Sequence, residues 1–314
     1  MEGRPINSVA VIGTGVIGAS WAACFLARAR DVMSWDPADG AEERLRAAVA
    51  AHWPALESLG LSAGASIDRL GFAASPEEAV ADADFVQESG PERVELKQEL
   101  FRRLDASAPP AAVLASSSSG LTPTQIQARC ERPERVVVGH PFNPPHLVPL
   151  VEVVGGGRTD SAVIDSAIAF YTRLGKHPIR LSQELPGHVA NRLQAALWRE
   201  AFHLVDRGVV SVADIDAAIA HGPGLRCGLL GPFLNLHLSG GDGGLRHVLD
   251  HLGAPMESWW DDLGSPRLTP KLRETAVRGV EQELHGLDLK AMVARRDEIL
   301  IELLRAKAAA SELP

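Results

Sequence analysis

A histidine and a glutamate stand close together in a part of the chain with the pattern of buried strands. His140 follows the β-branched run 136–138, and Glu152 lies inside the apolar run 150–154. A lone histidine is more often a surface or core residue, and a glutamate can simply lie on an edge strand. An unpaired carboxylate would be costly inside an apolar strand, however, and an imidazole partner removes that cost. Because the carboxylate also favours proton uptake by the imidazole, we predict a histidine base at residue 140.

A glycine pattern near the start of the chain is typical of a dinucleotide site. Residues 13–18 read Gly-Thr-Gly-Val-Ile-Gly, between an apolar run and a helix-like segment. The first glycine permits a tight turn, the second lets the backbone approach a pyrophosphate, and the third lets the helix pack closely on the strand. The helix N-terminus would supply amide donors to the phosphates. The predicted cofactor contacts here are Gly13, Gly15, Val16, Ile17 and Gly18.

Asp36 selects among the dinucleotides. It lies at the end of the second predicted strand, where a carboxylate accepts hydrogen bonds from both ribose hydroxyls of NAD and repels the 2′-phosphate of NADP. Residues 37–40 contain no arginine that would offset this repulsion. We therefore predict NAD as the cofactor, and a glycine-rich turn with a capping aspartate and no ligand is the alternative.

The elements that position these residues follow from hydrophobic periodicity. Short β-branched runs alternate with helical patterns, which predicts an α/β fold with a Rossmann-type, doubly wound, mostly parallel sheet. The predicted strands are 8–12, 32–35, 85–87, 113–115, 136–138, 150–154 and 178–181, and the helices among them are 21–28, 41–59, 94–104 and 161–174. Beyond residue 187 the strand signal almost vanishes, and helices are predicted at 188–207, 212–220, 229–238, 269–284 and 289–309. We predict an NAD-binding domain of residues 1–185 and a C-terminal all-helical domain of residues 186–314.

Composition excludes several classes of partner. The formal net charge of −9, with no block of basic residues, argues against nucleic acid and anionic membrane surfaces and favours a small-molecule substrate. No apolar run is long enough for a membrane-spanning helix. The three cysteines, Cys24, Cys130 and Cys227, lack metal-ligand spacing, so we expect no metal site, no disulfide framework and a cytoplasmic protein.

Taken together, the motifs resemble the 3-hydroxyacyl-CoA dehydrogenase family over nearly the whole chain. The resemblance is carried by the glycine fingerprint, the serine run 116–119, the segment 140–145 (His-Pro-Phe-Asn-Pro-Pro), the Val-Glu-Val of 151–153, and residues 174–176 leading to 186–193. It implies that His140 is the catalytic base with Glu152 as its partner. It further implies a hydroxyl-binding Ser119 and a helix-borne Asn191.

The same resemblance implies further contacts and an assembly. Glu92 and Lys97 match a family stretch that lies near the nicotinamide half of the cofactor, and we also expect Ser119 and Asn143 at the cofactor. The implied reaction passes a hydride from a carbinol carbon to NAD+ while the histidine removes the hydroxyl proton. The C-terminal domain would form a homodimer.

One departure from the family pattern limits the substrates that we expect. Acyl-CoA enzymes carry lysines after the second strand, whereas residues 37–96 of this chain contain none, which counts against CoA. Segments 221–226 and 231–234 resemble the branch that contains L-carnitine dehydrogenases, L-gulonate 3-dehydrogenase and lambda-crystallin. That branch acts on short, free L-3-hydroxy carboxylates. Arg226 would bind the carboxylate in a two-pronged fashion, or it is a surface or dimer-interface arginine.

Other assignments stay open at this point. Cys227 and Phe233 would line the substrate pocket beside the arginine. A 3-hydroxybutyryl-CoA dehydrogenase, a ketone or imine reductase, and a non-enzymatic, crystallin-like NAD-binding protein are the competing interpretations.

Overall fold

The computed structural model describes residues 6–313, which form two compact units that divide between Asn191 and Arg192. The first unit contains all the strands among the described residues: β1 (Ser8–Ile12), β2 (Asp31–Trp35), β3 (Leu70–Phe72), β4 (Phe85–Glu88), β5 (Val113–Ser116), β6 (Val136–Pro141), β7 (Leu150–Gly155) and β8 (His177–Arg180). Its helices are α1 (Val16–Ala27), α2 (Ala41–Leu59), α3 (Pro76–Val80), α4 (Val94–Ser107), α5 (Pro123–Ile126) and α6 (Ser161–Arg173).

The remaining helices belong to the second unit, except that the first of them begins just before the division. They are α7 (Ala190–Asp206), α8 (Val212–His221), α9 (Pro223–Cys227), α10 (Pro232–Ser239), α11 (Gly244–Asp262), α12 (Pro270–Glu283) and α13 (Leu289–Ala309). None of the helices among residues 6–313 has the length and apolar character needed to cross a membrane.

The strands form one sheet in the order β3-β2-β1-β4-β5-β6-β7-β8. All neighbouring strands are parallel except β6 and β7, which pair in antiparallel fashion. The strand order reverses between β1 and β4, and open α/β sheets bind ligands in the crevice beyond the strand ends at such a point. The predicted fold class, a doubly wound and mostly parallel α/β sheet followed by helices, is confirmed.

Both faces of the sheet are covered by apolar side chains. Along β1, Val9 and Val11 belong to one buried cluster, whereas Ala10 and Ile12 belong to the other. This alternation follows from the two-residue period of a strand, and burial on both faces is typical of parallel sheets. Helix α1 is buried at every position from Gly18 to Ala27, so it is apolar on all sides and not amphipathic. The core thereby holds α1 from Gly18 onward against the sheet.

Several predicted boundaries were wrong for identifiable reasons. Strand β3 and helices α3, α5, α9 and α11 were not predicted, because the first four are only three to five residues long and α11 contains Pro255 and two glycines. The predicted helix 229–238 begins instead at Pro232, a residue suited to the first helical position. The predicted helix 188–207 begins at Ala190, because His188 has a left-handed backbone with φ of +49°. Thr269 accepts a hydrogen bond from the amide of Leu272 and so caps α12.

Candidate active site

The buried pair of His140 and Glu152 is the centre of the candidate site. The two residues are direct partners across the antiparallel junction of β6 and β7, so their side chains leave the same face of the sheet. Nδ1 of His140 lies 2.9 Å from Oε2 of Glu152, whose side chain is completely buried. An ionised carboxylate can only accept hydrogen bonds, so Nδ1 carries the imidazole proton. The Nε2 lone pair of His140 is then free to accept a proton.

The second oxygen of Glu152 binds the start of helix α7. Oε1 accepts hydrogen bonds from the amides of Val189, at 2.8 Å, and Ala190, at 3.0 Å. Burial by itself would raise the pKa of Glu152, but the hydrogen bonds from His140 and from these two amides outweigh burial and lower it below its usual value. The carboxylate is therefore ionised at neutral pH. It also fixes the first turn of α7, which carries the partly exposed Asn191.

The serine run after β5 is tied down by Glu92. The amide of Ser119 donates to Oε1 of Glu92 at 2.6 Å, and the hydroxyl of Ser118 donates to Oε2 at 2.7 Å. Ser118 is buried, whereas Ser119 is partly exposed and its hydroxyl is only 3.3 Å from the same carboxylate. Glu92 thus orders the turn and leaves Ser119 at its surface.

His188 is a site residue for which the sequence predicted no role. Its side chain is buried, and Nε2 lies 3.0 Å from the carbonyl oxygen of Ser118. Its ring centroid is 5.1 Å from that of His140. Burial lowers the pKa of His188, and the neighbouring His140 acts in the same direction. In the sequence, only the Gly-His pair directly before a helix marks this position. Two residues are too few to show a period, so the pattern did not indicate a role for His188.

A second buried group supports strand β6, which carries His140. The Gln87 side-chain amide donates to the Ser117 hydroxyl at 2.8 Å and to the carbonyl oxygen of Gly139 at 3.3 Å. The Tyr171 hydroxyl donates to Oε1 of Gln87 at 2.6 Å. A Cβ atom on Gly139 would stand 2.0 Å from that hydroxyl, so this position before His140 requires glycine. Sequence reasoning missed these contacts because the partners come from three distant segments.

The three fingerprint glycines differ in what surrounds them. Gly13 has φ of +87°, and a Cβ there would stand 2.9 Å from the amide of Gly90. A Cβ on Gly18 would stand 1.9 Å from the carbonyl oxygen of Gly13, so helix and strand could not pack as they do. A Cβ on Gly15, in contrast, would meet no protein atom within 4 Å. The protein's own packing therefore requires Gly13 and Gly18, whereas Gly15 leaves open space for a ligand.

The N-terminus of α1 next to that space fits a bound pyrophosphate. Gly15 is the N-cap residue, no side chain caps the helix, and its first turn contains no acidic residue. The first amides of a helix have no partner within the helix, so those of Val16 and Ile17 can donate to a phosphate. Val16 itself is 72% exposed.

Asp36 joins the fingerprint turn to the end of β2. Oδ2 accepts a hydrogen bond from the amide of Thr14 at 2.8 Å, and Oδ1 accepts one from the amide of Ala38 at 2.9 Å. The neighbouring surface depression is lined by three further acids, among them Asp39 and Glu42, and by Arg46, which is paired with Glu42. A carboxylate held in this position among other acids fits the ribose of NAD and disfavours an added phosphate.

Lys97 lies inside the first unit. Its ammonium group is within 2.8 Å of both carboxylate oxygens of Glu88 and 3.1 Å from the carbonyl oxygen of Gly90, and its side chain is 1% exposed. These contacts use all three of its N–H donors. Any effect of Lys97 on a cofactor would therefore act through the 88–90 segment. Asn143, in contrast, is exposed in the loop between β6 and β7.

The residues predicted to contact substrate lie in the second unit. Arg226 and Cys227 belong to the short helix α9, and Phe233 lies in the first turn of α10; all three are exposed. Arg226 lines a surface depression together with Leu230 and Asn235. Among the described residues its guanidinium makes no ion pair, so it is available to an anionic group.

The fold and the site define an NAD-dependent oxidoreductase that acts on CH–OH groups. Residues 8–185 match the NAD binding domain of 3-hydroxyacyl-CoA dehydrogenase, and residues 187–275 match its C-terminal domain. The chain belongs to the 3-hydroxyacyl-CoA dehydrogenase family, as the sequence motifs predicted.

Individual relatives span nearly the whole chain. L-Carnitine dehydrogenase of Streptomyces griseus subsp. griseus is 53% identical over 301 residues, which are 96% of this chain and 90% of that protein. L-Carnitine dehydrogenase of Pseudomonas putida is 48% identical over 301 residues, 96% of this chain and 94% of that protein. Among solved structures, 5-formyl-3-hydroxy-2-methylpyridine 4-carboxylic acid 5-dehydrogenase, an NAD+ dependent dismutase, matches with a TM-score of 0.84. It is 28% identical, and the match covers 97% of this chain and 99% of that chain.

Proposed function

We propose that this protein oxidises the 3-hydroxyl of L-carnitine with NAD+ to the 3-oxo acid, and catalyses the reverse reduction. The observation that carries the chemistry is the buried His140–Glu152 pair, because a carboxylate on Nδ1 leaves Nε2 of the histidine free to take a hydroxyl proton. The substrate assignment rests on the L-carnitine dehydrogenases that are about half identical to this chain over nearly its full length.

The proposed reaction uses four side chains of this chain. When bound beside the site, NAD+ supplies the hydride acceptor. His140 takes the proton of the 3-hydroxyl at Nε2, and the hydrogen on the same carbon leaves with its electron pair as hydride. Glu152 stabilises the imidazolium that forms, and Ser119 and Asn191 bind the oxygen as it changes from hydroxyl to carbonyl. In the reverse direction the same two residues polarise the carbonyl, and His140 returns the proton.

A free carboxylate is favoured over a CoA thioester by charge. CoA carries several phosphate charges, yet residues 37–96 contain no lysine and only four arginines, of which Arg46 and Arg69 are paired with Glu42 and Asp31. A polyanionic ligand would need compensating positive charge there. The guanidinium of Arg226, which makes no ion pair among residues 6–313, suits a single carboxylate, and we propose it as the substrate's anchor.

A substrate panel tests the function. Initial rates would be measured with NAD+ and NADP+ against L-carnitine, L-gulonate, L-3-hydroxybutyrate and 3-hydroxybutyryl-CoA. We expect the highest kcat/KM with L-carnitine and NAD+. Turnover of the thioester alone would reject the assignment.

Two histidine variants test the base. His140→Ala should lower kcat by about 10²- to 10⁴-fold, the range of general base catalysis, while NADH binding changes by no more than a few-fold. His177→Ala removes an exposed histidine of the same unit and serves as the control that keeps wild-type rates. Parallel loss of NADH binding and turnover in His140→Ala would mean that His140 is only structural.

We also propose that the second unit forms a homodimer. Among its described residues only Val248, Leu272 and Ile301 are buried apolar side chains, whereas large ones such as Trp198 and Trp259 are more than half exposed. So few buried apolar groups cannot stabilise a helical unit of this size, and a second copy would cover the rest. Light scattering after size exclusion should give twice the chain mass of 33.4 kDa, and a monomer at micromolar concentration would exclude the dimer.

A further inference from the structure

His188 contacts both halves of the chemistry proposed above. On one side its ring lies against the ring of His140, with centroids 5.1 Å apart. On the other side its Nε2 lies 3.0 Å from the carbonyl oxygen of Ser118. Ser118 directly precedes the oxygen-binding Ser119 and donates its own hydroxyl to Glu92. One side chain therefore connects the base on β6 with the turn after β5.

The hydrogen bond to Ser118 determines where the imidazole of His188 carries its proton. A carbonyl oxygen can only accept, so Nε2 is the protonated nitrogen and Nδ1 keeps a lone pair. Nδ1 is buried and has no hydrogen-bond partner among residues 6–313. A second proton on Nδ1 would find no acceptor there.

The charges around the ring lead to the same conclusion. The titratable groups that face His188 are His140 on β6, Glu152 on β7 and Glu92 before α4. Both carboxylates are already engaged, with His140 and with the serine turn. A cationic His188 would stand beside the imidazolium that His140 becomes during the reaction, and like charges at this distance repel. His188 thus stays neutral while His140 gains and loses a proton.

Space filling alone does not explain a histidine here. Phenylalanine, although somewhat larger, would fill this space without burying an unpaired nitrogen, and an unpaired buried nitrogen is unfavourable. His188 also has the left-handed backbone that β-carbon-bearing residues rarely adopt, directly before the amides that bind Glu152. What the imidazole adds over phenylalanine is the Nε2–H donor to Ser118.

We infer that His188 is a positioning residue for the proposed alcohol oxidation. Its Nε2–H bond holds the Ser118–Ser119 turn, and its ring packs against His140, so that the oxygen-binding hydroxyl and the base keep their relative places. It does not itself exchange a proton with substrate. The expected loss of activity rests on the proposed function. The expected tautomer of His188 rests on geometry alone.

Two substitutions separate the donor from the volume. His188→Phe keeps the ring and loses the donor, whereas His188→Gln keeps a side-chain N–H at similar reach. We expect the kcat of His188→Phe to fall about 10- to 100-fold, which is the effect of misplacing a reacting group by about 1 Å. The kcat of His188→Gln should stay within about five-fold of the wild-type value. KM for the hydroxy acid and NADH affinity should change by less than about three-fold, because the bond acts on alignment more than on ground-state binding.

Two further readouts distinguish positioning from other roles. The melting temperatures of His188→Phe and His188→Gln should be alike while their kcat values differ, because both variants replace histidine in the same left-handed backbone, whereas a merely structural histidine would lose stability and activity in parallel. The pH dependence of kcat/KM should keep its shape, and a changed shape would mean that His188 exchanges protons with substrate. Equal losses in both variants, or full activity in His188→Phe, would overturn the inference.

A measurement without substrate separates this inference from the proposed function. In ¹⁵N-histidine NMR spectra of the full chain, we expect His188 to carry its proton on Nε2 and His140 on Nδ1. The assignment would use His188→Phe, with His177→Gln as the control for an exposed ring. Absence of turnover with every hydroxy acid would reject the function only, whereas a proton on Nδ1 of His188 would reject the positioning role.

Discussion

Glu152 stands directly opposite His140 across the one antiparallel junction of the described sheet, and its two oxygens serve different elements. Oε2 lies 2.9 Å from the imidazole, and Oε1 accepts the amides of Val189 and Ala190. The same carboxylate therefore orients the candidate base and holds the start of the helix that carries Asn191. One buried charge thus couples the candidate base to the start of the helix that carries Asn191, the proposed oxygen-binding residue.

Glu152→Gln should uncouple these two tasks. Its oxygen can still accept the helix amides, but its NH₂ group then faces Nδ1 of His140, which favours the tautomer with the proton on Nε2. The base would lose its lone pair, so we expect kcat to fall about 10³- to 10⁴-fold, as in hydrolase triads whose carboxylate becomes an amide. Steady-state rates and NADH titration measure this effect, with exposed Glu57→Gln as the control. A loss below ten-fold would show that the carboxylate is not needed to orient the imidazole.

Gly15→Ala and Gly18→Ala form a matched pair for the cofactor site. A methyl on Gly15 meets no protein atom within 4 Å, so folding stability should be unchanged while NAD+ affinity falls about ten-fold or more because the pyrophosphate loses its close approach. A methyl on Gly18 would overlap the carbonyl oxygen of Gly13, and overpacking of this kind costs about 1–3 kcal/mol. Calorimetry and urea unfolding distinguish the two. Unchanged NAD+ binding in a folded Gly15→Ala variant would remove the pyrophosphate from this turn.

Asp36→Asn should relax the choice between NAD+ and NADP+. The amide keeps one oxygen for the amides of Thr14 or Ala38 but removes the charge that repels a 2′-phosphate. We expect the ratio of kcat/KM for NAD+ over NADP+ to fall at least about ten-fold, which corresponds to ~1.4 kcal/mol. Asp82→Asn, at an exposed acid of the same unit that does not line this depression, is the control. If the ratio stays constant in Asp36→Asn, the ribose contact is wrong.

The depressed pKa of His188 should make folding stability depend on pH. Above pH 7 the imidazole is neutral in both states, and as the pH falls the unfolded chain takes up this proton first, because burial lowers the pKa of His188 in the folded protein. The free energy of unfolding should therefore decrease below about pH 6.5, by at most ~1.4 kcal/mol per pH unit for this one group. His188→Phe lacks that contribution.

Urea titrations at pH 7.5, 6.5 and 5.5, at one chain concentration, would measure the difference. The wild type and a His177→Phe control should lose more stability on acidification than His188→Phe does. Identical slopes for all three proteins would mean that His188 is not held neutral by the fold.

Much of the fold could be predicted from local sequence patterns. Residues 9–18 show a strand, a turn and the start of a helix in one stretch. This stretch could be predicted locally, because close backbone packing there needs glycine whatever the rest of the chain contains. The two-residue and 3.6-residue periods determined the fold class, and Glu152 stood out because an acid in an apolar run needs a partner. Short elements such as β3 and α9 had too few residues for a period to be seen.

Only the tertiary structure decided which atoms meet. The register of β6 against β7 puts His140 opposite Glu152, and a shift by one residue would turn the two side chains to opposite faces. The sequence pattern predicts that a helix begins at His188. Long-range contacts with Ser118 and His140 instead hold His188 outside that helix, in a left-handed conformation. Sequence patterns report energies that depend on neighbours in the chain. These contacts depend on packing between segments far apart in it, which forms only when the sheet closes around them.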